Sequence, residues 1–270
     1  MKTRSLPSIL RVLALALISL WSGSSVWAAA STSSPNILFI IFDDWGGSTH
    51  AGIAGNAWIK TPNFDRVARE GILFKNAFTS NPKCSPCRAS ILTGRNSWQL
   101  KEAVSHNGLF PSGFVVYPDL LETAGYAIGL TGKGWGPGDF KTLTGWTRNP
   151  AGPAFNARKR KPETSAMSEN DYGANFEDFL KTRAPGKPFC FWMGFTEPHR
   201  AYERGSGVRL GKKLEDVVVP AYLPDTEGIR SDLLDYALEV EAGDAHIGRA
   251  LALLEASGEL ENTLIVVTSD

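Results

Sequence analysis

Cysteine is scarce. There are three in 270 residues, too few for a disulfide-stapled scaffold, and no Cys/His cluster has zinc spacing. Net charge is also absent: 28 Lys and Arg are matched by 28 Asp and Glu. That balance excludes the basic surface with which nucleic-acid binders displace counterions. The chain has no internal repeat and no low-complexity tract, which excludes solenoids and linker-like chains. No apolar run reaches the roughly 20 residues that span a bilayer. What remains, 43% apolar and 21% charged residues, is ordinary for a folded domain.

The N-terminus has its own layout. Lys2, Arg4 and Arg11 flank a short apolar run, Val12 to Leu20, and small residues follow up to Ala28, Ala29 and Ala30. This is the arrangement of a secretory signal peptide with an A-x-A cleavage site. Residues 1–30 are therefore read as a signal peptide and 31–270 as the folded part. The expected location is secreted or periplasmic, with no membrane attachment after cleavage.

Four apolar runs read as strands buried on both faces: Ile37 to Phe42, Tyr126 to Thr131, Phe189 to Phe195 and Leu264 to Thr268. Helical patterns separate them at Asn63 to Glu70, Pro118 to Ala124, Asn175 to Lys181 and Ile229 to Ser257, the last with Ser231 as expected N-cap. Strands alternating with helices predict an α/β fold with a mostly parallel central sheet flanked by helices. In such sheets ligands bind beyond the carboxyl ends of the strands. Here those ends carry Asp43-Asp44, Lys133, Glu197 with His199, and Asp270. A lone Asp after a strand is usually a turn former, but four strands ending in polar groups point to one shared site. Asp43 and Asp44 are adjacent like charges that a cation between them would relieve. With Asp270 they would offer an oxygen-rich cage for calcium, or for magnesium as the second choice.

The segment Cys84 to Gly94 reads C-S-P-C-R-A-S-I-L-T-G. Ser85 and Pro86 suit an N-cap and first helical residue, so Cys84 would sit just before a helix N-terminus, where anions are favoured. Arg88 could reach back as a bidentate anion partner. The residues leave three readings open: an inert or disulfide-bonded pair Cys84/Cys87, a C-x-x-C thiol oxidoreductase, or a C-x-P-x-R signature.

The third pattern resembles the type I sulfatases, a formylglycine-dependent family with an alkaline-phosphatase-like α/β sandwich. The resemblance extends through P-N-I-L-F-I-I-F-D-D at Pro35 to Asp44, T-P-N-F-D-R-V-A-R-E-G at Thr61 to Gly71, F-K-N-A-F at Phe74 to Phe78, L-L-E-T-A-G-Y at Leu120 to Tyr126 and N-T-L-I-V-V-T-S-D at Asn262 to Asp270. It is closest to the sulfamidase (heparan N-sulfatase) branch, through E-P-H-R at Glu197 to Arg200 and V-P-A-Y-L-P-D-T at Val219 to Thr226.

The resemblance implies hydrolysis of sulfate esters or sulfamates on sulfated saccharides. It implies that a maturation enzyme oxidises Cys84 to formylglycine (3-oxoalanine). Asp43, Asp44, Asp270 and the modified Cys84 would then hold the metal, Arg88 would steady the nucleophile, and Lys133 would neutralise sulfate. His199 would contact or protonate the leaving group, and Glu197 would touch substrate or stabilise its turn. Related activities implied as alternatives are phosphonate or phosphate diester hydrolysis, or binding by an inactive truncated relative. Two departures stand out. Many sulfatases carry a histidine two residues after the lysine, where this chain has Trp135, with His106 as a possible stand-in. The family normally continues past the equivalent of Asp270 with another metal ligand, a basic residue and a smaller domain, so the chain is expected to represent the N-terminal part only.

Overall fold

A computed structural model describes residues 34–270; the signal-peptide reading falls outside the described residues. Strands β1 (Asn36–Phe42), β2 (Ala127–Gly132), β3 (Phe189–Gly194) and β4 (Thr263–Ser269) form a sheet in the order β2-β3-β1-β4. Every pairing is parallel, with Ile41 opposite both Gly194 and Thr268. The expected strands are therefore present, each within a residue or two at its ends.

The continuous apolar runs are explained by two cores, one on each face. Leu38, Ile40 and Phe42 of β1 and Phe189, Phe191 and Met193 of β3 enter one cluster. There they meet Tyr172, Phe176 and Phe179 of helix α4 (Tyr172–Thr182), and Leu234, Ala237, Val240 and Ile247 of helix α6 (Glu227–Ala256). The alternate residues Ile41, Leu130 and Trp192 face the second cluster, with Ala89 and Leu92 of helix α2 (Cys84–Thr93) and Phe110 and Trp135 from loops. Period-two alternation into two apolar layers leaves no polar face on the strand. Each fully buried large side chain contributes about 1.5–3 kcal/mol.

Helix α1 (Pro62–Glu70) starts with proline at its first position, and its N-terminal amides are capped from another element. Asp244 of α6 accepts from Asn63 N at 3.2 Å and Phe64 N at 2.7 Å. Two short helices complete the set used below, α3 (Tyr117–Thr123) and α5 (Ser206–Arg209). The N-cap of α6 is Thr226, whose hydroxyl accepts from Ile229 N, and not Ser231, which lies inside the helix. Thr226 caps and Glu227 favours the positive helix end, so Gly228 is absorbed into the first turn instead of ending a loop.

Candidate active site

The parallel register sets the site. With β1 central, the residues after β2, β3, β1 and β4 emerge along one edge of the sheet, and backbone hydrogen bonds continue the pairing beyond the strands. Lys133 N donates to Gly194 O at 2.7 Å, Phe195 N to Ile41 O at 2.9 Å, Asp43 N to Glu197 O at 3.0 Å and Asp270 N to Phe42 O at 3.3 Å. Two glycines permit the close approach. A Cβ on Gly194 would lie 1.8 Å from Lys133 O, and one on Gly132 would lie 2.0 Å from Gly194 O. The chain turns at Asp44 with φ +67°, a left-handed conformation that only a few per cent of non-glycine residues adopt and that recurs at functional sites. The turn aims the Asp44 amide at Asp270 Oδ1, 3.2 Å away.

Helix α2 delivers the cysteine. Its N-cap is Lys83, so Cys84 is the first helical residue, one position further into the element than expected. Ser85 does not cap, because its hydroxyl is bonded to Pro137 O. Gly94, at φ +66°, closes the helix by donating to Ser90 O at 2.9 Å.

Arg88 is wholly buried and does not reach toward the helix start. Its Nε donates to Asp270 Oδ2 at 2.5 Å and its Nη2 to Asp43 Oδ1 at 3.3 Å. Its Nη1 donates to the carbonyls of Lys133 at 2.7 Å and Gly134 at 3.1 Å. One guanidinium thus joins the ends of β1, β2 and β4. Lys133 Nζ reaches Asp43 Oδ2 at 2.6 Å. The Lys133 carbonyl also accepts from the indole of Trp192 at 2.9 Å. Trp192 is a positioning residue that the sequence hides, since a tryptophan inside an apolar run reads only as core.

Four of the expected residues come together closely. Ligand atoms of Asp43, Asp44, Cys84 and Asp270 lie within 4.8 Å of one another, as do those of Asp43, Cys84 and His199. His199 Nε2 stands 3.8 Å from Asp44 Oδ2. Calcium–oxygen distances of about 2.3–2.6 Å let one ion bridge donors up to about 5 Å apart, so the three carboxylates fit a hard divalent cation. Against Arg88 and Lys133 they leave one uncompensated negative charge, which such an ion would offset. Burial pushes the Asp270 carboxyl above its ordinary range, and Asp43 adds to this against the opposing pull of Arg88.

The cysteines separate the open readings. All three are free. Burial foremost, with Asp43 and Asp270, pushes the Cys84 thiol up to about 11 against the pull of Lys133. A thiol oxidoreductase needs the reverse, a depressed pKa. Burial also raises Cys87, whose sulfur accepts from Thr79 Oγ1 at 3.0 Å.

Of the two roles expected for Glu197, its bonds are those of the turn-stabilising one. Its buried carboxylate accepts from Ser168 N at 2.8 Å, Tyr172 OH at 2.8 Å and Thr196 Oγ1 at 3.3 Å. With three donors holding it, it anchors the end of β3 to α4. Trp135 is buried in the second core, its indole donating to Ser85 O at 3.0 Å. It contributes packing beneath α2 and no polar group to the site.

The sulfatase family model matches residues 35–270. The chain belongs to the sulfatase family. Among curated relatives, human N-sulphoglucosamine sulphohydrolase is 30% identical over 261 residues, an alignment covering 87% of this chain and 50% of that protein. The chain thus spans about half the length of that relative. Two solved structures share the fold. One, determined in complex with its substrate D-glucosamine-2-N,6-O-disulfate, has TM-score 0.63 and 22% identity, covering 88% of this chain and 65% of the other. The phosphonate monoester hydrolase of Agrobacterium radiobacter has TM-score 0.62 and 18% identity, covering 87% and 62%. They support the mostly parallel α/β architecture expected from the sequence.

Proposed function

We propose that the protein hydrolyses sulfate esters or sulfamates on sulfated saccharides, with Cys84 matured to formylglycine by a dedicated enzyme and calcium held by Asp43, Asp44 and Asp270. The observation that carries this reading is the meeting of Cys84 with three carboxylates at the sheet edge, with Lys133 bonded to one of them. A buried, protonated thiol is a poor nucleophile at neutral pH, which fits a position that works in another chemical form.

Formylglycine supplies, as its hydrate, an oxygen nucleophile with a second hydroxyl through which sulfate can later be expelled; the cation supplies positive charge to the sulfate oxygens and to that nucleophile. The chain's own residues do the rest. The α2 N-terminus directs its free amides toward the anion. Lys133 neutralises sulfate charge as the sulfur is attacked. Arg88 fixes Asp43 and Asp270 so that the carboxylates need not reorganise. His199, half-exposed beside Asp44, delivers a proton to the departing oxygen or nitrogen. The signal-peptide layout of residues 1–30 supports a location outside the cytoplasm, secreted or periplasmic.

Two measurements on the intact protein test this reading. In material from its native host, the Cys84 peptide should have lost one sulfur and two hydrogens and gained one oxygen, with Cys87 unmodified. A free or disulfide-bonded Cys84 there would overturn the formylglycine reading. Turnover of a chromogenic sulfate well above that of a phosphate diester or phosphonate supports a sulfatase. The reverse order would make the protein a phosphonate or phosphate diester hydrolase, and binding of sulfated glycans without turnover would make it a binding protein.

A further inference from the structure

The sequence offers His106 as a loop histidine that could stand in for the one replaced by Trp135, and its surroundings tie it to the site. The loop that carries it is docked by backbone onto the segment after Lys133. Asn107 N donates to Pro137 O at 3.2 Å, Asp139 N to Gly108 O at 3.0 Å and Phe110 N to Asp139 O at 3.1 Å. Pro137 O is also the acceptor for Ser85 at the start of α2. The loop cannot shift without disturbing the segment that bears Lys133 or the helix that bears Cys84. Gly108 tightens this further, since a Cβ there would meet Glu102 O at 2.2 Å.

Within this fixed loop, His106 Nε2 is shielded from solvent and has no hydrogen-bond partner. A shielded ring nitrogen without a partner is a hydrogen-bonding group left unused by the fold. Its charged neighbours belong to the site. Burial, then Lys83, Lys133 and His199, hold the imidazole below its ordinary pKa, against the pull of Asp43. The ring is therefore neutral near pH 7 and can donate without carrying charge. Only this nitrogen is shielded: the residue as a whole is half-buried, less enclosed than Cys84 and Asp43 at 4% and 2% exposure.

We propose that His106 is a substrate-contacting residue whose Nε2 hydrogen-bonds an oxygen of the sulfated group held over Cys84. This rests on the sulfatase reading, so its test reads binding, with a second histidine as internal control. The chain has four histidines, and their ring resonances can be assigned by single His→Gln variants. Sodium sulfate is titrated at fixed pH against sodium chloride of equal ionic strength. The His106 and His199 resonances should shift saturably with a common Kd, while those of His50 and His246 stay put. His106→Ala should weaken sulfate binding about tenfold or more, the loss expected of one hydrogen bond to a charged group, as read from His199. His106→Gln, which keeps a donor, should retain most of the affinity and covers the case in which the alanine variant fails to fold. Saturation of His199 without His106, or unchanged affinity in His106→Ala, overturns this inference and leaves the sulfatase reading intact. If neither histidine responds, the anion site is refuted and the inference falls with it.

Discussion

Replacing Arg88 by methionine keeps an unbranched apolar stem and removes the guanidinium with its charge. Four acceptors each lose one donor at once: the carboxylates of Asp43 and Asp270 and the carbonyls of Lys133 and Gly134. Breaking a buried ion pair from one side costs about 3–5 kcal/mol, because the partner charge is left in a poor solvent. In a domain of 150–250 residues each kcal/mol moves Tm by about 2–4 °C, so Arg88→Met should melt about 10 °C lower by circular dichroism in chelator-treated buffer. Removing the cation also leaves the three carboxylates opposed by Lys133 alone. Calcium should then bind more tightly than in the unaltered protein and restore more of the lost stability, up to about 2.7 kcal/mol at a hundredfold excess over Kd. A Tm within about 2 °C of the unaltered protein would refute the assignment of Arg88 as the clamp. A calcium response smaller in the variant than in the parent would refute the cation cage.

Three further outcomes follow from the same geometry. Calcium should raise the Tm of the unaltered protein, and Asp43→Asn or Asp270→Asn should abolish that rise; differential scanning fluorimetry with and without chelator reads it. Burial foremost, and then Glu197, pushes the Glu239 carboxyl up to about 8 from 4.5. The stability of its neutral form is fully present below pH 4.5 and lost as pH climbs through 8, so Glu239→Gln should be more stable than the parent at pH 8 by about 4 kcal/mol and melt higher, with the gap closing toward pH 5. His246, edge-on to Tyr172 at 5.2 Å, is pushed by burial down to about 4 from 6.5. The stability of that neutral ring is present above pH 6.5 and lost as pH falls through 4, a loss of about 3 kcal/mol that His246→Phe should remove from a urea titration series.

The strands were legible because both faces of each are apolar, and a run such as Ile37 to Phe42 has no other economical reading. Their polar endings were legible for the same reason: charge stands out where apolar residues stop, and the parallel register then brings Asp43, Lys133, His199 and Asp270 to one edge. Direction of reach was not legible. Arg88 sits on a helix, and nothing in C-S-P-C-R indicates that its side chain is drawn under the sheet edge by two carboxylates 45 and 182 residues away. Glu197 was read as a substrate contact or a turn stabiliser because it follows a strand; the partners that hold it, Tyr172 and Ser168, are remote in sequence. Trp192 was missed, and His106 was named only as a stand-in for another histidine, for opposite reasons. An indole in an apolar run is indistinguishable from core, and a loop histidine has no periodicity to give it a face.

Synthesis proceeds from the N-terminus, and the bond from Arg88 to Asp270 spans 182 residues. At ~5–20 residues per second, about 10–40 s pass between the emergence of the two. Through that interval β1 lacks β4, and until Phe189–Gly194 is made it lacks β3 as well, so the helix bearing Cys84 has only part of the anchorage that later fixes it. The order of events is thus written into the topology: the cysteine is on the ribosome, exposed and unfastened, well before the acidic residue that seals it in place has been made.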